Sequence, residues 1–383
     1  MIAGNTNASV FSQQSYTYNQ QNPEAVLNWE VIGGEIYSGQ GTETIVVNWG
    51  LESSGTVTVI EANENCQSLP VLLNIDLSIN DLPSHISIAR LWNEVLLFAI
   101  RNDYARPTIH ARNLFHCSAA MYDVWAQYNS VANNYLIGNN VHGFVSELEP
   151  FFSGEHINVS IPKAISYAMC RLLLHRFENS PGYDNIFEKI NFVMDELEYD
   201  TTFTSLDYQT GDAAAFGNYV AEQYISYGLQ DGAREQYNYD NAYYEPVNSA
   251  LFLYADETSP LENPNHWQPL AFDIFIDQNG NIINDNVPDF LSPEWGNVNG
   301  FGLTDENKTT YTRDGNTYNV FYDPLDPPYI SQSENNGIND LYKWGFSMVS
   351  VWQSHLDPDD NVMIDISPGV IGNMGVDILP TSF

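Results

Sequence analysis

Apolar and polar residues alternate in short runs along the first 77 positions: Ser15–Tyr18, Leu27–Val31, Glu35–Ser38, Glu43–Trp49, Thr56–Glu61 and Val71–Leu77, set apart by Gly, Asn and Ser. A period of two sends successive side chains to opposite faces of an extended chain, so these runs predict strands. Val47 and Trp49 share one face, as do Val57 and Val59, while Thr56, Thr58 and Ile60 take the other. The pattern predicts a small all-β sandwich over residues 1–77, with Trp29 pinning its core.

From Ser84 the period becomes helical, starting with Leu91, Val95 and Phe98. Pro107 suits the first turn of a second helix, whose stripe is Leu114, Cys117, Met121, Val124 and Tyr128. Two more stripes follow, Ile161, Ile165, Ala168 and Leu172, then Ile186, Ile190, Val193 and Leu197, parted by Ser180-Pro181-Gly182. A fifth helix carries Phe216, Val220 and Tyr224, and a last one Ile338, Leu341, Trp344, Met348 and Val351. The expected helices span about 84–103, 107–129, 160–179, 182–199, 211–231 and 336–356. Residues 236–335, rich in Asn, Asp, Pro and Tyr, predict long loops and short hairpins over the helices. Among them Asn279-Gly280, between Phe275-Ile276 and Ile282-Ile283, is a hairpin turn. The expected architecture is multidomain: the sandwich, then a mainly α helical-bundle domain with long loops over residues 78–383.

Charge sharpens this division. Residues 1–77 hold eight acidic residues and no Lys or Arg, whereas all 12 basic residues follow. The 383-residue chain carries 49 Asp and Glu and a net charge of -37. Such a field repels polyanions, so nucleic acid is excluded as a partner. No stretch approaches the roughly 18–20 apolar residues of a membrane helix. Cys66, Cys117 and Cys170, far apart and without CxxC spacing, suggest buried free thiols rather than a disulfide framework or a zinc site.

Two stretches resemble known families. Trp29-Glu-Val-Ile-Gly-Gly-Glu-Ile, Gly39-Gln-Gly-Thr-Glu-Thr-Ile-Val-Val-Asn-Trp-Gly50 and Gly55-Thr-Val-Thr-Val-Ile-Glu-Ala-Asn-Glu-Asn-Cys66 resemble a PKD-like domain of bacterial secreted proteins. Residues 88–128, from Ile88-Ala-Arg-Leu-Trp through Tyr104-Ala-Arg-Pro-Thr-Ile-His to Asp123-Val-Trp-Ala-Gln-Tyr, resemble the opening helices of vanadium-dependent haloperoxidases. His266-Trp-Gln-Pro-Leu270, Phe290-Leu-Ser-Pro-Glu-Trp-Gly296 and residues 357–368 extend that likeness over the family's N-terminal half. The family shares its fold with soluble acid phosphatases.

This resemblance implies vanadate in complete relatives, gripped by a Lys seven positions before an Arg-Pro, a Pro-Ser-Gly-His, and a Ser-Arg followed by His. Here the lone Arg-Pro is Arg106-Pro107, and the lysine position holds Ala99. Pro83-Ser84-His85 lacks the glycine, and Ser-Arg does not occur. No catalytic residue is therefore carried over, and this chain alone is expected to be inactive, its partner being a remaining C-terminal catalytic half. The PKD-like resemblance implies export to the cell exterior or surface, although no export signal is visible.

Two local candidates remain. Arg106, His110, Arg112 and His116 form two pairs at i, i+4 that could converge on an anion, although in so acidic a chain arginines mostly bridge carboxylates. Asp357, Asp359 and Asp360, with Asp365, offer hard oxygen ligands for calcium, or simply an acidic turn after a helix. No Gly-x-Ser-x-Gly or His-Glu-x-x-His occurs. Tyr237, Tyr239, Tyr243, Tyr244, Tyr254, Trp267 and Trp295 suit a lid over the helices, or a sugar-binding or adhesive surface. The expected function is the N-terminal portion of a secreted haloperoxidase-like protein. The alternative is a non-enzymatic extracellular adhesion or carbohydrate-binding protein that contacts cell surfaces or polysaccharide.

Overall fold

A computed structural model describes residues 1–63, 66–80, 82–252, 263–276, 280–283, 287–330, 341–357 and 359. Among them lie six α-helices and many strands in small sheets, a mixed multidomain fold.

The N-terminal part holds β1 (Ile2–Ala3), β2 (Asn7–Ser9), β3 (Gln13–Tyr18), β4 (Val26–Ile32), β5 (Gly34–Ser38), β6 (Thr44–Trp49), β7 (Ser54–Ala62) and β8 (Val71–Ser78). They form two four-stranded sheets, ordered β1-β3-β6-β5 and β2-β8-β7-β4. All six expected strands are present. The two missed ones, β1 and β2, are too short to show a period of their own.

Alternation sorts the residues as expected: Tyr16, Tyr18, Ile45, Val47 and Trp49 of one sheet and Leu27, Trp29, Val57, Val59, Ile75 and Leu77 of the other are buried. Both buried indoles are satisfied, Trp29 Nε1 donating to the Thr42 carbonyl at 2.8 Å and Trp49 Nε1 to the Tyr16 hydroxyl at 3.1 Å. Gly33, at φ +83°, makes the tight link from β4 to β5, where a Cβ would lie 2.7 Å from the Ser54 carbonyl.

The helical part comprises α1 (Ile88–Arg101), α2 (Pro107–Ala126), α3 (Ile157–Arg176), α4 (Tyr183–Glu196) and α5 (Ala213–Gly228). Their starts have local causes. Ser87 caps α1 by accepting from the Arg90 amide, Pro107 opens α2, and Asp212 caps α5 through the Ala214 and Ala215 amides. Central α3 packs against α1, α2, α4 and α5. Its approach to α5 is close because Gly217 has no side chain; a Cβ there would sit 2.2 Å from the Ala164 carbonyl.

One of the four lysines ties the two parts together. Lys189 of α4 donates to the Leu51 carbonyl and to Glu52 at 2.7 Å, with its ammonium 4.8 Å from the centre of the Phe98 ring. Glu196 completes the junction by accepting from the Ser78 hydroxyl and the Ile79 amide.

Short ladders decorate the loops: β9 (Asn140–Val141) with β10 (Phe144–Val145), β11 (Leu251–Phe252) with β12 (Leu270–Ala271), and β13 (Phe275–Ile276) with β14 (Ile282–Ile283). The last is the expected Asn-Gly hairpin; Gly280 has φ +83°, and residues 277–279 lie outside the described set. A longer hairpin, β15 (Lys308–Arg313) with β16 (Asn316–Phe321), turns at Asp314-Gly315. Across this region Glu294 accepts from the amides of Ala242, Tyr243 and Tyr244, and Tyr243, Tyr244, Trp267, Phe290 and Tyr318 meet edge to face.

Three expectations need correction. Leu114, placed on the buried stripe of α2, is 39% exposed, because the helix turns its neighbour Asn113 inward instead. Helix α6 (Leu341–Gln353) exists, but Trp344 and Val351 of its stripe are exposed; Ile338 lies outside the described residues. Cys117 and Cys170 are buried free thiols, whereas Cys66 is exposed on the connection from β7 to β8. Burial pushes the Cys117 thiol up to about 12 and that of Cys170 to about 11, so neither is a thiolate near neutral pH.

Candidate functional site

The sequence candidates on α2 separate into two places. Arg106 and His110 lie at its start, near Asp103 at the end of α1. Arg106 pairs with Asp103 at 3.2 Å, and the Ser180 hydroxyl donates to the same carboxylate at 2.9 Å. His110 Nε2 is 2.7 Å from the Tyr104 carbonyl, which makes that nitrogen the donor. The His110 ring lies parallel to Phe177 at 6.4 Å.

Six residues further along, Arg112 and His116 share a face and enter a larger charged cluster. Arg112 Nε donates to Asp231 at 2.6 Å, and its Nη2 donates to Glu235 at 2.7 Å and to the Gly228 carbonyl at 2.9 Å. Arg176, the last residue of α3, donates to the same Glu235 oxygen, to the Tyr224 carbonyl and to His116 Nδ1. His175 Nε2 reaches the other Glu235 oxygen at 2.9 Å. The Tyr239 ring stands 5.3 Å from the Arg106 guanidinium and 5.8 Å from that of Arg112, between the two places.

Two arginines thus face two carboxylates, and the charges balance. Burial alone would raise the Glu235 carboxyl, yet His175, Arg176 and Arg112 beside it hold it down at about 2. Burial likewise opposes the Arg112 charge, and Asp231 and Glu235 overcome it, keeping the guanidinium protonated. For His116 burial and the two guanidiniums act together, driving its pKa well below 6.5. It is therefore neutral: Nδ1 accepts from Arg176, and the proton sits on Nε2, 3.6 Å from Asp231.

The i, i+4 spacing on α2 brought Arg112 and His116 together, and it did not bring Arg106 and His110 to the same point. Sequence reasoning did not place His175, Arg176, Gly228, Asp231 or Glu235 in this site. The dipeptide His175-Arg176, closing an apolar stripe, was the available signal for two of them.

The acidic turn gives less. The Asp359 amide donates to Asp357 Oδ1 at 2.9 Å, an ordinary local turn contact, and Asp360 and Asp365 lie outside the described residues. Among the described residues no group of three or more His, Cys, Asp or Glu is placed to hold a metal ion. No helix among them is long and apolar enough to cross a membrane.

No protein-family model matches this chain, and no curated protein does. Solved structures of a bacterial vanadium-dependent chloroperoxidase are similar to it. The apo form aligns over 70% of this chain and 49% of its own, at 16% identity and a TM-score of 0.41. The holo form aligns over 50% and 35%, at 16% identity and a TM-score of 0.29. The chain spans about half the length of the chloroperoxidase it matches.

The residues present do not fit vanadate as they stand. Ala99, at the lysine position, is fully buried in the core face of α1, and the guanidiniums of Arg106 and Arg112 are already bonded to carboxylates. A tetrahedral oxyanion stripped of water needs several free cationic donors, which these guanidiniums do not offer while their carboxylate partners are in place.

Proposed function

We propose that this chain is the scaffold portion of a secreted, vanadium-dependent haloperoxidase-like protein. In this reading residues 1–77 are a PKD-like immunoglobulin-type module, and residues 78–383 are the family's N-terminal helical part. The oxyanion grip belongs to a C-terminal catalytic half. The reading is carried by residues 88–128, whose family-like run forms the α1–α2 hairpin and whose Arg106 and Arg112 are engaged by the protein's own carboxylates. Its chemical role is to hold the helices rigid beside the reacting half, and it supplies no group to the reaction. Orthovanadate, hydrogen peroxide and bromide added to residues 1–383 should give no halogenation; appreciable turnover would overturn the reading. The reading frame beyond Phe383 should encode the three oxyanion motifs, and a frame without them would overturn it equally.

A second reading, an extracellular carbohydrate-binding or adhesion protein, is favoured by one cavity. It has about 310 Å3 and is lined by Asn297, Asn299, Asn319, the Asp305–Lys308 ion pair, the His142 ring and Phe321, a mixture of amides, one ion pair and two rings. Binding to a glycan array that is lost in Asn319→Ala would support this reading, and no binding would remove it.

A further inference from the structure

We propose that Arg112 and Arg176 form a binding site for a small oxyanion, filled in this structure by the protein's own Glu235 carboxylate on the plug segment 231–239. This proposal does not depend on the haloperoxidase reading.

Two guanidiniums buried side by side repel each other, and only an anion between them makes the arrangement stable. The scaffold supplies the cations: Arg112 comes from α2, and Arg176 and His175 come from the last turn of α3. The anion comes from outside the helical layer, on the loop after α5. Asp231 already meets Arg112 through Nε, which leaves one excess positive charge facing one monoanion.

Helix α5 is built around this grip. At Gly228 an added Cβ would fall 2.3 Å from Arg176 Nη2 and 2.7 Å from Arg112 Nη2, so the absence of a side chain there makes room for the guanidiniums. Arg176 Nε points to a ligand larger than a carboxylate. It is buried, and among the described residues it has no hydrogen-bond partner. A carboxylate offers two oxygens, both already engaged by Arg112, Arg176 and His175. A tetrahedral anion would bring further acceptors to that spare donor.

The plug has the conformation of a segment held in place by its contacts. Arg234, Asn238 and Tyr239 adopt left-handed φ values of 61°, 52° and 65°, a region sparsely populated by residues other than glycine. His175, with 28% of its side chain exposed, lies at the solvent edge of the cluster and marks the way in. Ligands of this site are small oxyanions of carboxylate or phosphate type.

The test uses the full chain with Glu235→Ala, titrated with sodium acetate or sodium phosphate against sodium chloride at matched ionic strength. The variant should show a saturable rise in Tm of at least about 3 °C with either oxyanion and none with chloride, while the wild type is unmoved. The added substitution Arg176→Gln should abolish the rise. An equal response to chloride, or no response to any salt, would overturn the proposal. If Glu235→Ala does not accumulate folded, refolding yield becomes the readout. Recovery only in acetate or phosphate supports the site, and equal failure in all three salts rejects it.

Discussion

The β and helical parts of this protein bury different things. Between the two sheets the interior is aliphatic and aromatic, and the one buried charged residue among those described there, Glu61, sits at the margin accepting from the Gln21 and Asn22 amides. The helical part encloses Asp103, Arg112, Asp123, Arg176, Lys189 and Asp231. One core is held by area removed from water, the other also by paired charges that could not be buried singly. The lesson is that the helical interior is specified by partners, and those of Arg112, Arg176 and Lys189 come from distant parts of the chain.

Removing one partner is the most direct way to break this contrast. Arg112→Leu leaves Asp231 and Glu235 buried with too few cations and should cost about 3–5 kcal/mol in chemical denaturation. A loss no larger than that of an ordinary aliphatic substitution would mean the two interiors are alike. Gly228→Ala should cost about 1–3 kcal/mol by pushing a methyl group into the guanidinium pair. Asp123→Ala should cost a similar amount, about 1–3 kcal/mol, because the carboxylate accepts from the Tyr135, Leu136 and Ile137 amides and the Tyr224 hydroxyl.

Acid should act on the helical part in two stages. Folded His116 is neutral where an unfolded histidine takes a proton, so stability should begin to fall as pH drops below 6.5. Glu235 has the depressed carboxylate pattern: its contribution is complete above 4.5 and is lost as pH falls toward about 2. Unfolding free energy measured from pH 8 to 2 should show both limbs, and Glu235→Gln should remove the lower one. In the sheets, Ile75→Val should cost only about 0.5–1.5 kcal/mol and leave the pH profile unchanged.

Much of the architecture was legible in the chain, for a physical reason visible at particular positions. The alternation through Val57 and Val59 fixed which face of β7 is buried, and Pro107 fixed where α2 begins. Leu114 and α6 show where this reasoning stops, since an apolar side chain does not state whether anything will cover it.

The candidate site was half legible. Arg112 and His116 belong to one helix, and a spacing of four residues is enough to pair them. Glu235 lies 123 residues from Arg112 and 59 from Arg176, in a loop with no period to announce it.

The sequence by itself determined the acidic balance, which is composition alone, and the longer N-terminal strands, the helices and most of the faces they bury, which follow from neighbours two to four residues apart. Only the tertiary structure decided that two arginines, a histidine and one loop carboxylate share a single buried point. Such a meeting depends on how helices cross and where a glycine lets them approach, which no local pattern encodes.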